Sequence, residues 1–302
     1  MDKRSKYFDS VLNSIVCGSN VELLANFPDS CVDLTVTSPP YDSIRNYNNK
    51  LDTKSQIIGE YSFPFEELVV ELYRVTKPGG VVVWVVNDQT VEGTDGGKTE
   101  TGTSFRQALR FQEEGFNIHD TMIYQKPGVR FPDQIRYHQC FEYMFVFCKG
   151  KLKTSNIIKD RKNVTFKKNK TSVQGNVKNK RWADDDLVDC RDFEYNPLKE
   201  YGARFNIWII KPEQAASHRD IEEWSYHPAV FPSELARDHI RTWSNKGDVV
   251  LDPFSGSGTT VKEAKRLGRK FIGLDINDVY VEKSSLRLEN YGESQLDSIL
   301  GF

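Results

Sequence analysis

The sequence predicts an α/β fold, doubly wound around a mostly parallel sheet. Three observations favour it: apolar, strand-like runs alternate with helical stretches, a glycine-rich turn directly follows one of these runs, and irregular composition is concentrated in one long segment. Strands that alternate with helices are typical of parallel sheets, because a helix usually connects two parallel neighbours. At 302 residues the chain is long enough to bury a large core.

The predicted elements are short and bounded by turn residues. Helical spacing of apolar residues covers 65–76 and 103–114, and these stretches end before Gly79 and Gly115. Strand-like signal also returns near Ile207. Strands are predicted, in chain order, at 32–37, 80–86, 121–125, 143–148, 248–251 and 270–274, with a further helix from about 259 to 267.

The pattern breaks after Gly150. Residues 151–205 are rich in Lys and Asn and poor in aliphatic side chains, so they predict a loop-rich insert between two pieces of one core, 1–150 and 206–302. Between Lys149 and Arg181 there are twelve Lys and Arg and one acidic residue, although the net charge of the chain is -2. A basic patch is therefore confined to this segment.

Composition argues against a membrane protein and against a protein stabilised by disulfide bonds. Charged residues make up 28% of the chain, and the longest apolar run, 81–86, is far shorter than a bilayer span. The N-terminus leads into no apolar signal core, so a cytoplasmic location is expected. The five cysteines are scattered, and neither they nor the histidines have metal-ligand spacing, so no metal site is predicted.

A glycine-rich turn follows the strand-like run 248–251 and opens a helix, in the segment 252–260 (DPFSGSGTT). Such a turn lets a ligand approach backbone N–H groups at a helix N-terminus. Val261 stands where a dinucleotide-binding loop needs Gly or Ala, and the Lys of a Walker loop is missing. Asp252 would repel phosphate but can accept from an ammonium group, and Asp275 suits two ribose hydroxyls. An amino acid joined to a ribose describes S-adenosylmethionine; the alternative is a helix start without a ligand.

A second turn follows the strand-like run 32–37, at Ser38-Pro39-Pro40-Tyr41. Two consecutive prolines cannot continue a central strand, so the chain leaves the sheet as a stiff, extended turn. A serine hydroxyl and a fixed backbone carbonyl can accept the two protons of an exocyclic amino group, while a tyrosine ring offers a face for base stacking. Drawing both N–H bonds toward acceptors localises the nitrogen lone pair, so positioning can do most of the catalysis. The alternative is an ordinary surface turn.

Together these motifs resemble those of the exocyclic-amino DNA methyltransferases of bacterial modification systems. The matching segments are TSPPY at 37–41, HPAVFPSEL at 227–235, DPFSGSGTT at 252–260 and FIGLD at 271–275, and their order resembles the beta class. The resemblance implies a Rossmann-like methyltransferase sheet in which the glycine-rich turn and the Ser38-Pro39-Pro40-Tyr41 turn lie at the carboxyl ends of adjacent strands. It also implies methyl transfer from S-adenosylmethionine to a flipped base in duplex DNA. Ser38 favours cytosine N4, and thus N4-methylcytosine, because family members with Asp at that position methylate adenine N6. Adenine-N6 methylation, an RNA substrate and a non-catalytic DNA-binding protein of the same fold are the alternatives.

The resemblance also implies the roles of individual residues. Asp88, after the run 81–86, is a candidate proton acceptor, and its alternative is a strand-end turn. Family members often carry Gly-Asp where this chain has Gly18-Ser19, followed by Asn20, so a carboxylate contact to the cofactor adenine is replaced by a hydroxyl or an amide, or is absent. The base is expected to be held by Ser38, Pro39, Pro40 and Tyr41, and the cofactor pocket to be lined by Phe231, Asp252, Phe254, Gly256, Gly258, Thr259 and Asp275.

The basic insert is the expected target-recognition region. Moving a base out of the stack costs free energy that contacts to phosphates must offset. The alternative is a solvated charged loop. Base edges are expected to be read by Asn163, Asn169, Gln174, Asn176 and Asn179, and phosphates to be contacted by Lys151, Lys153, Lys159, Arg161, Lys162, Lys167, Lys168, Lys170, Lys178, Lys180 and Arg181.

Other expectations concern the surroundings of the site. The segment 88–104 holds four glycines and is expected to pack loosely and to close over DNA or cofactor. Arg130 and Arg136 are candidates for contacts with the DNA backbone, and the alternative is that they are solvated loop residues. A cognate restriction endonuclease is a candidate partner that the sequence does not establish, and the chain is expected to be a monomer or a homodimer.

Overall fold

A computed structural model describes residues 2–40, 64–94, 96–128, 135–163, 199–212 and 231–290. The chain divides into two compact units: the larger holds Met1–Asn156 and Asn206–Phe302, and the smaller holds Ile157–Phe205. Within these ranges no helix is long and apolar enough to cross a membrane.

The larger unit is built on an eight-stranded sheet of order β1-β12-β11-β2-β3-β7-β6-β10. All neighbours are parallel except β7, which runs antiparallel to both β3 and β6. A mostly parallel sheet brings the carboxyl ends of its strands to one edge. The strands of the chain are β1 Ser14–Cys17, β2 Val32–Thr37, β3 Thr76–Val86, β4 Thr90–Glu92, β5 Lys98–Glu100, β6 Asn117–Gln125, β7 Phe141–Cys148, β8 Arg161–Lys162, β9 Tyr201–Gly202, β10 Ile207–Ile209, β11 Val249–Asp252 and β12 Lys270–Asp275.

Helices lie on both faces of this sheet, and an apolar cluster fills each interface. One cluster includes Leu72 of the third helix and Phe111 of the fourth, and the other includes Leu235 of the fifth and Val261 of the sixth, all buried. The predicted doubly wound α/β fold is therefore confirmed. The helices are α1 Lys3–Val11, α2 Asn20–Leu24, α3 Phe65–Val75, α4 Thr103–Glu114, α5 Ser233–Trp243, α6 Thr259–Arg266 and α7 Asp278–Asn290.

The long, strongly patterned elements match their predicted positions. The predicted strand 32–37 and the predicted helix 103–114 have the bounds of β2 and α4. Elements at the two ends of the chain, namely α1, β1, α2, α5 and α7, were not predicted. The strand β1 has four residues and the helix α2 has five, which is too short for a periodic pattern to stand out.

The segment 88–104 corrects one prediction. Its glycines suggested a loosely packed loop, but β4 and β5 pair as an antiparallel hairpin, from Thr90 opposite Glu100 to Glu92 opposite Lys98. The side chains of both strands are exposed, and the Thr101 N–H donates to the Gln89 carbonyl at the base of the hairpin. Closure of this hairpin over a ligand stays a prediction.

The smaller unit is described at its two ends, where β8 pairs antiparallel with β9. The Arg204 guanidinium donates to Asp160 through Nε at 2.9 Å, and the Arg161 guanidinium stacks on the Phe205 ring at 4.7 Å from its centroid. Residues 164–198, which include most of the predicted target-recognition residues, lie outside the described part of the chain.

Candidate functional site

Both predicted turns leave the sheet at the same edge. The strands β2 and β11 are parallel neighbours, with Leu34 opposite Val250 and Thr35 opposite Leu251. The Ser-Pro-Pro turn follows β2, and the glycine turn follows β11. Because parallel neighbours end on the same side, two motifs more than 200 residues apart in sequence begin side by side.

A hydrogen bond joins the two motifs directly. The Thr37 hydroxyl Oγ1 donates to Asp252 Oδ1 at 2.7 Å, across a separation of 215 residues. Both side chains are buried, with exposed fractions of 1% and 4%. Beyond Thr37, Pro39 is buried and Ser38 and Pro40 are half-buried, whereas Tyr41 lies outside the described residues. Thr37, the last residue of β2, therefore contacts Asp252, the last residue of β11.

The Asp252 carboxyl group is buried and accepts several hydrogen bonds. Burial raises its pKa to about 6, while hydrogen bonds from the Thr37 hydroxyl, the Phe254 N–H and the Thr260 hydroxyl lower it, and the charge of Asp275 raises it. The Phe254 N–H donates to Oδ1 at 3.1 Å. This carboxyl group consequently titrates close to neutral pH.

The glycine turn needs glycine for steric reasons. Gly256 and Gly258 have φ of 48° and 74°, in the left-handed region that other residues rarely adopt. A Cβ on Gly258 would lie 3.0 Å from the Cβ of Ser284 on α7. Gly258 caps α6, whose first residue is the buried Thr259. The turn thus presents backbone without side chains at the N-terminus of a helix.

Asp275 ends β12 next to this turn. Its Oδ2 accepts from the Gly256 N–H at 2.7 Å and its Oδ1 accepts from the Asn277 N–H at 2.9 Å. Burial raises the pKa of this carboxyl group, and the same two N–H groups lower it. Each oxygen keeps a further lone pair, so the carboxylate can still accept from a ligand hydroxyl.

The N-terminal segment reaches the same edge through β1. Cys17 lies opposite Asp275, and the Gly18 N–H donates to the Asp275 carbonyl at 2.9 Å. The buried Asn20 amide donates from Nδ2 to the Pro253 carbonyl at 3.3 Å. Thus the Gly18-Ser19 departure from the family pattern lies beside the glycine turn.

The two predicted aromatic residues belong to opposite faces of the sheet. Phe254 packs against the cluster of α3 and α4, with its ring centroid 6.2 Å from that of Trp84. Phe231 packs against the cluster of α5 and α6, one residue before Pro232, which caps α5. Each ring is half-buried, so each keeps part of its surface accessible.

Asp88, the predicted proton acceptor, is hydrogen-bonded to the start of α4 and to the base of the hairpin. Its buried carboxylate accepts from the Ser104 N–H at 3.1 Å, from the Ser104 hydroxyl, and from the Thr101 hydroxyl at 3.2 Å. These bonds hold the first turn of α4 and the base of the hairpin. These contacts agree with the strand-end alternative, and the role of Asp88 as a proton acceptor stays a prediction.

The two predicted backbone-contacting arginines have separate outcomes. Arg136 donates from Nη2 to Glu100 Oε1 at 2.6 Å, so its guanidinium is paired with the hairpin. Arg130 lies outside the described ranges.

A family model described as DNA methylase, for N6 and N4 enzymes, matches residues 32–286. That span contains the Ser-Pro-Pro turn, the glycine turn and Asp275. The chain belongs to the N6/N4 DNA methylase family.

Relatives agree with this assignment. The methylase is 52% identical over 266 residues to the orphan methyltransferase M.BamHII of Bacillus amyloliquefaciens, covering 88% of this chain and 92% of the relative. It is 25% identical to the DNA adenine methyltransferase YhdJ of Escherichia coli, covering 93% and 84%. Its fold resembles that of PvuII DNA methyltransferase, a cytosine-N4-specific enzyme, with a TM-score of 0.62 at 21% identity, covering 95% and 90%.

The donor set of the methylase fits the ligand that the sequence predicts. A buried carboxylate at the tip of β11 can accept from an ammonium group, and the half-buried carboxylate of Asp275 can accept from ribose hydroxyls. In the described ranges no cluster of His, Cys, Asp or Glu could hold a metal ion.

Two residues of the site escaped the sequence analysis. No contact of either residue with the glycine turn was predicted: Thr37 was noted only as the end of a strand and the first residue of TSPPY, and Asn20 only as the residue after Gly18-Ser19. In a single sequence, the only indication that either residue belongs to the site is its position next to one of the motifs. Their contacts depend on which strands are neighbours.

Proposed function

We propose that this methylase transfers a methyl group from S-adenosylmethionine to N4 of cytosine at a specific site of duplex DNA, within a modification or restriction-modification system. The observation that carries the proposal is the junction of the Ser-Pro-Pro turn and the glycine turn at one edge, closed by the bond between Thr37 and Asp252. S-adenosylmethionine, when bound, supplies an electrophilic methyl group. The protein supplies binding and orientation.

The Ser-Pro-Pro-Tyr turn is proposed to hold the target base. The Ser38 hydroxyl and a backbone carbonyl of the turn accept the two amino protons, and the prolines keep these acceptors in place. Tyr41 stacks on the base. With both N–H bonds directed to acceptors, the lone pair of the nitrogen would be available to form the new N–C bond while the bond between sulfur and the methyl carbon breaks and the thioether leaves. The surplus amino proton would then pass through the acceptors of the turn to solvent. Orientation is thus the main contribution of this turn.

The glycine turn is proposed to hold the cofactor. Asp252 accepts from the ammonium group, Asp275 accepts from the ribose hydroxyls, and Gly256 and Gly258 allow close approach to the backbone. Phe231, Phe254 and Thr259 complete the lining. Since Ser19 replaces the family's usual acidic residue, the adenine end is held without that carboxylate.

The choice of target base rests on Ser38. Serine at the head of the tetrapeptide supports cytosine N4, by resemblance to family members of that specificity. Adenine N6 is the second candidate, because YhdJ, a DNA adenine methyltransferase, is related over 93% of this chain. The chemistry is the same for both amino groups.

Duplex DNA is proposed to bind through the basic insert. The base must leave the stack, and contacts between phosphates and the Lys and Arg of residues 151–181 offset that cost. Asn and Gln of the insert are proposed to read base edges.

The test uses a labelled methyl donor. The full chain is incubated with methyl-labelled S-adenosylmethionine and duplex DNA of mixed sequence, and the DNA is then digested to nucleosides. We expect label in 4-methylcytosine. Label confined to 6-methyladenine would replace cytosine N4 by adenine N6, and DNA that binds but takes up no label would favour the non-catalytic alternative.

A pair of variants tests the role of the turn. Tyr41→Ala removes the stacking face and is expected to lower methyl transfer by about tenfold to a hundredfold, the range of a lost base–aromatic contact. Tyr41→Phe keeps the ring and should retain most of the activity. Equal losses in both variants at an unchanged melting temperature would contradict the stacking role.

A further inference from the structure

The contact between Thr37 and Asp252 has two unusual properties. It lies between the last residues of two adjacent strands, and both partners are almost completely buried. Oδ1 of Asp252 accepts from both the Thr37 hydroxyl at 2.7 Å and the Phe254 N–H at 3.1 Å. Two donors on one carboxylate oxygen stabilise its charged form and restrict its orientation.

Thr37 is also the residue that precedes the base-holding turn. Ser38 follows it, and then two prolines whose ring-locked φ angles leave little conformational freedom. A shift of Thr37 is therefore passed on to Ser38 rather than absorbed by the turn. The same hydroxyl bond positions Asp252 at the start of the glycine turn.

The groups that act on Asp252 come from three elements and a turn. Thr37 on β2, Thr260 on α6 and the Phe254 N–H in the turn favour the carboxylate, while the charge of Asp275 on β12 and burial favour the protonated acid. Loss of one donor in such a balance shifts protonation toward the neutral acid.

We propose that Thr37 is a positioning residue for methyl transfer: its hydroxyl keeps the Asp252 carboxylate charged and oriented toward the ammonium end of the cofactor, and ties that carboxylate to the base-holding turn. The role in transfer rests on the proposed function. The control of Asp252 by Thr37 can be tested on the protein without ligand.

The chain itself offers matched variants. Thr37→Val removes the hydroxyl at nearly constant volume, and Thr37→Ser retains it. Thr35→Val is the control, because the Thr35 hydroxyl lies on the same strand, is equally buried and has no hydrogen-bond partner within the described part of the protein. Thr37→Ala serves if valine at this position prevents folding.

Two titrations are made on each variant. The first follows the Asp252 carboxyl by carbon-13 NMR in ligand-free protein, assigned with Asp252→Asn. The second measures the affinity for S-adenosylmethionine by calorimetry from pH 5 to pH 8.5. Thr37→Val is expected to raise the midpoint of both titrations by about one pH unit, as loss of a bond to a charged group implies. Thr37→Ser should restore the wild-type midpoint, and Thr35→Val should leave it unchanged.

The outcomes separate the two proposals. An Asp252 titration that is the same in Thr37→Val and wild type would overturn the role of Thr37. An Asp252 titration that moves as expected, in a protein that does not bind S-adenosylmethionine at any pH, would support control of Asp252 by Thr37 and overturn the proposed function. Equal shifts in Thr37→Val and Thr35→Val would assign the effect to packing of the strand and also overturn the inference.

Discussion

At the scale of single residues, the site combines burial with charge. Asp252 is 4% exposed, and within the described ranges its carboxyl group is surrounded by three hydrogen-bond donors and the negative charge of Asp275. A carboxyl group in such a place favours protonation in the folded protein. Binding an ammonium group would supply the missing positive charge. The charged Asp252 carboxylate therefore lowers the stability of the ligand-free fold, at the position where the ammonium group of the proposed cofactor needs a negative partner.

Replacing Asp252 by Asn should reveal this cost. The pKa in the folded state is about 6, above the ordinary value of 3.8, so stability from protonation is present below pH 3.8 and is lost as the pH rises through 6. Asp252→Asn keeps an oxygen for Thr37 and should be more stable than wild type above pH 7, by up to about 3 kcal/mol. Urea unfolding at pH 4 and pH 7.5 measures this difference. A variant that is less stable at pH 7.5 would contradict it.

Gly258 should tolerate alanine poorly. Its left-handed φ strains any side chain, and a Cβ would approach Ser284 at 3.0 Å. Gly258→Ala is expected to cost about 2 kcal/mol of unfolding free energy. Gly247→Ala is the control, since Gly247 also has positive φ but open space around its Cβ position. Equal losses in the two variants, measured by urea unfolding, would assign the whole effect to backbone conformation.

At the scale of elements, polar side chains anchor the ends of helices. Asp88 holds the first turn of α4, and the Lys149 ammonium donates to the carbonyls of Tyr73 and Thr76 at the end of α3, at 2.6 and 2.9 Å. Lys149, the first of the twelve basic residues between 149 and 181, therefore stabilises the core through these two hydrogen bonds. Residues that sequence alone would assign to chemistry or DNA can have structural roles.

A double-mutant cycle tests the role of Asp88. Asp88→Asn and Ser104→Ala each disturb the same bonds, so each should destabilise the protein by about 1–3 kcal/mol, and the double variant should cost much less than the sum. Thermal or urea unfolding of the four proteins gives the coupling. Additive losses, or a hundredfold fall in kcat for Asp88→Asn at unchanged stability, would instead favour the proton-accepting role.

At the scale of the whole molecule, charge is unevenly distributed. A chain of net charge -2 concentrates basic residues in the insert, whereas its proposed catalytic edge holds Asp252 and Asp275. We propose that the basic residues of the insert bind phosphates, whereas the carboxylates of Asp252 and Asp275 suit a cationic ligand. Binding of DNA should therefore depend strongly on salt.

Neutralising part of the insert should weaken that dependence. The triple variant Lys167→Gln, Lys168→Gln and Lys170→Gln is expected to reduce the slope of log K against log salt by up to about 3, since each lost phosphate contact removes about 0.9. The matched control changes Lys3, Lys6 and Lys246, which are exposed outside the insert. Fluorescence anisotropy with duplex DNA measures both. Equal slopes for the two triple variants would show that the insert binds no phosphates.

Much of this protein was determined by local sequence. Short, nearly continuous apolar runs predicted β2, β3, β7, β11 and β12, because a strand whose two faces are both buried needs apolar side chains on both faces. The prolines after Thr37 and the glycines after Asp252 predicted two special turns, because these residues constrain or free the backbone wherever they stand. The conformations and chemical groups of these two turns could be predicted from the sequence, because each turn is formed by consecutive residues.

Only the tertiary structure decided what depends on strand order. The family resemblance implied that the strands before the two turns are neighbours, but the bond between Thr37 and Asp252 and the raised pKa of Asp252 depend on the register and burial of those strands and could not be derived from one sequence. The same holds for Asp88, whose partners lie across a hairpin. Hydrogen bonds and desolvation act over a few ångströms in space, and the fold alone determines which residues come that close.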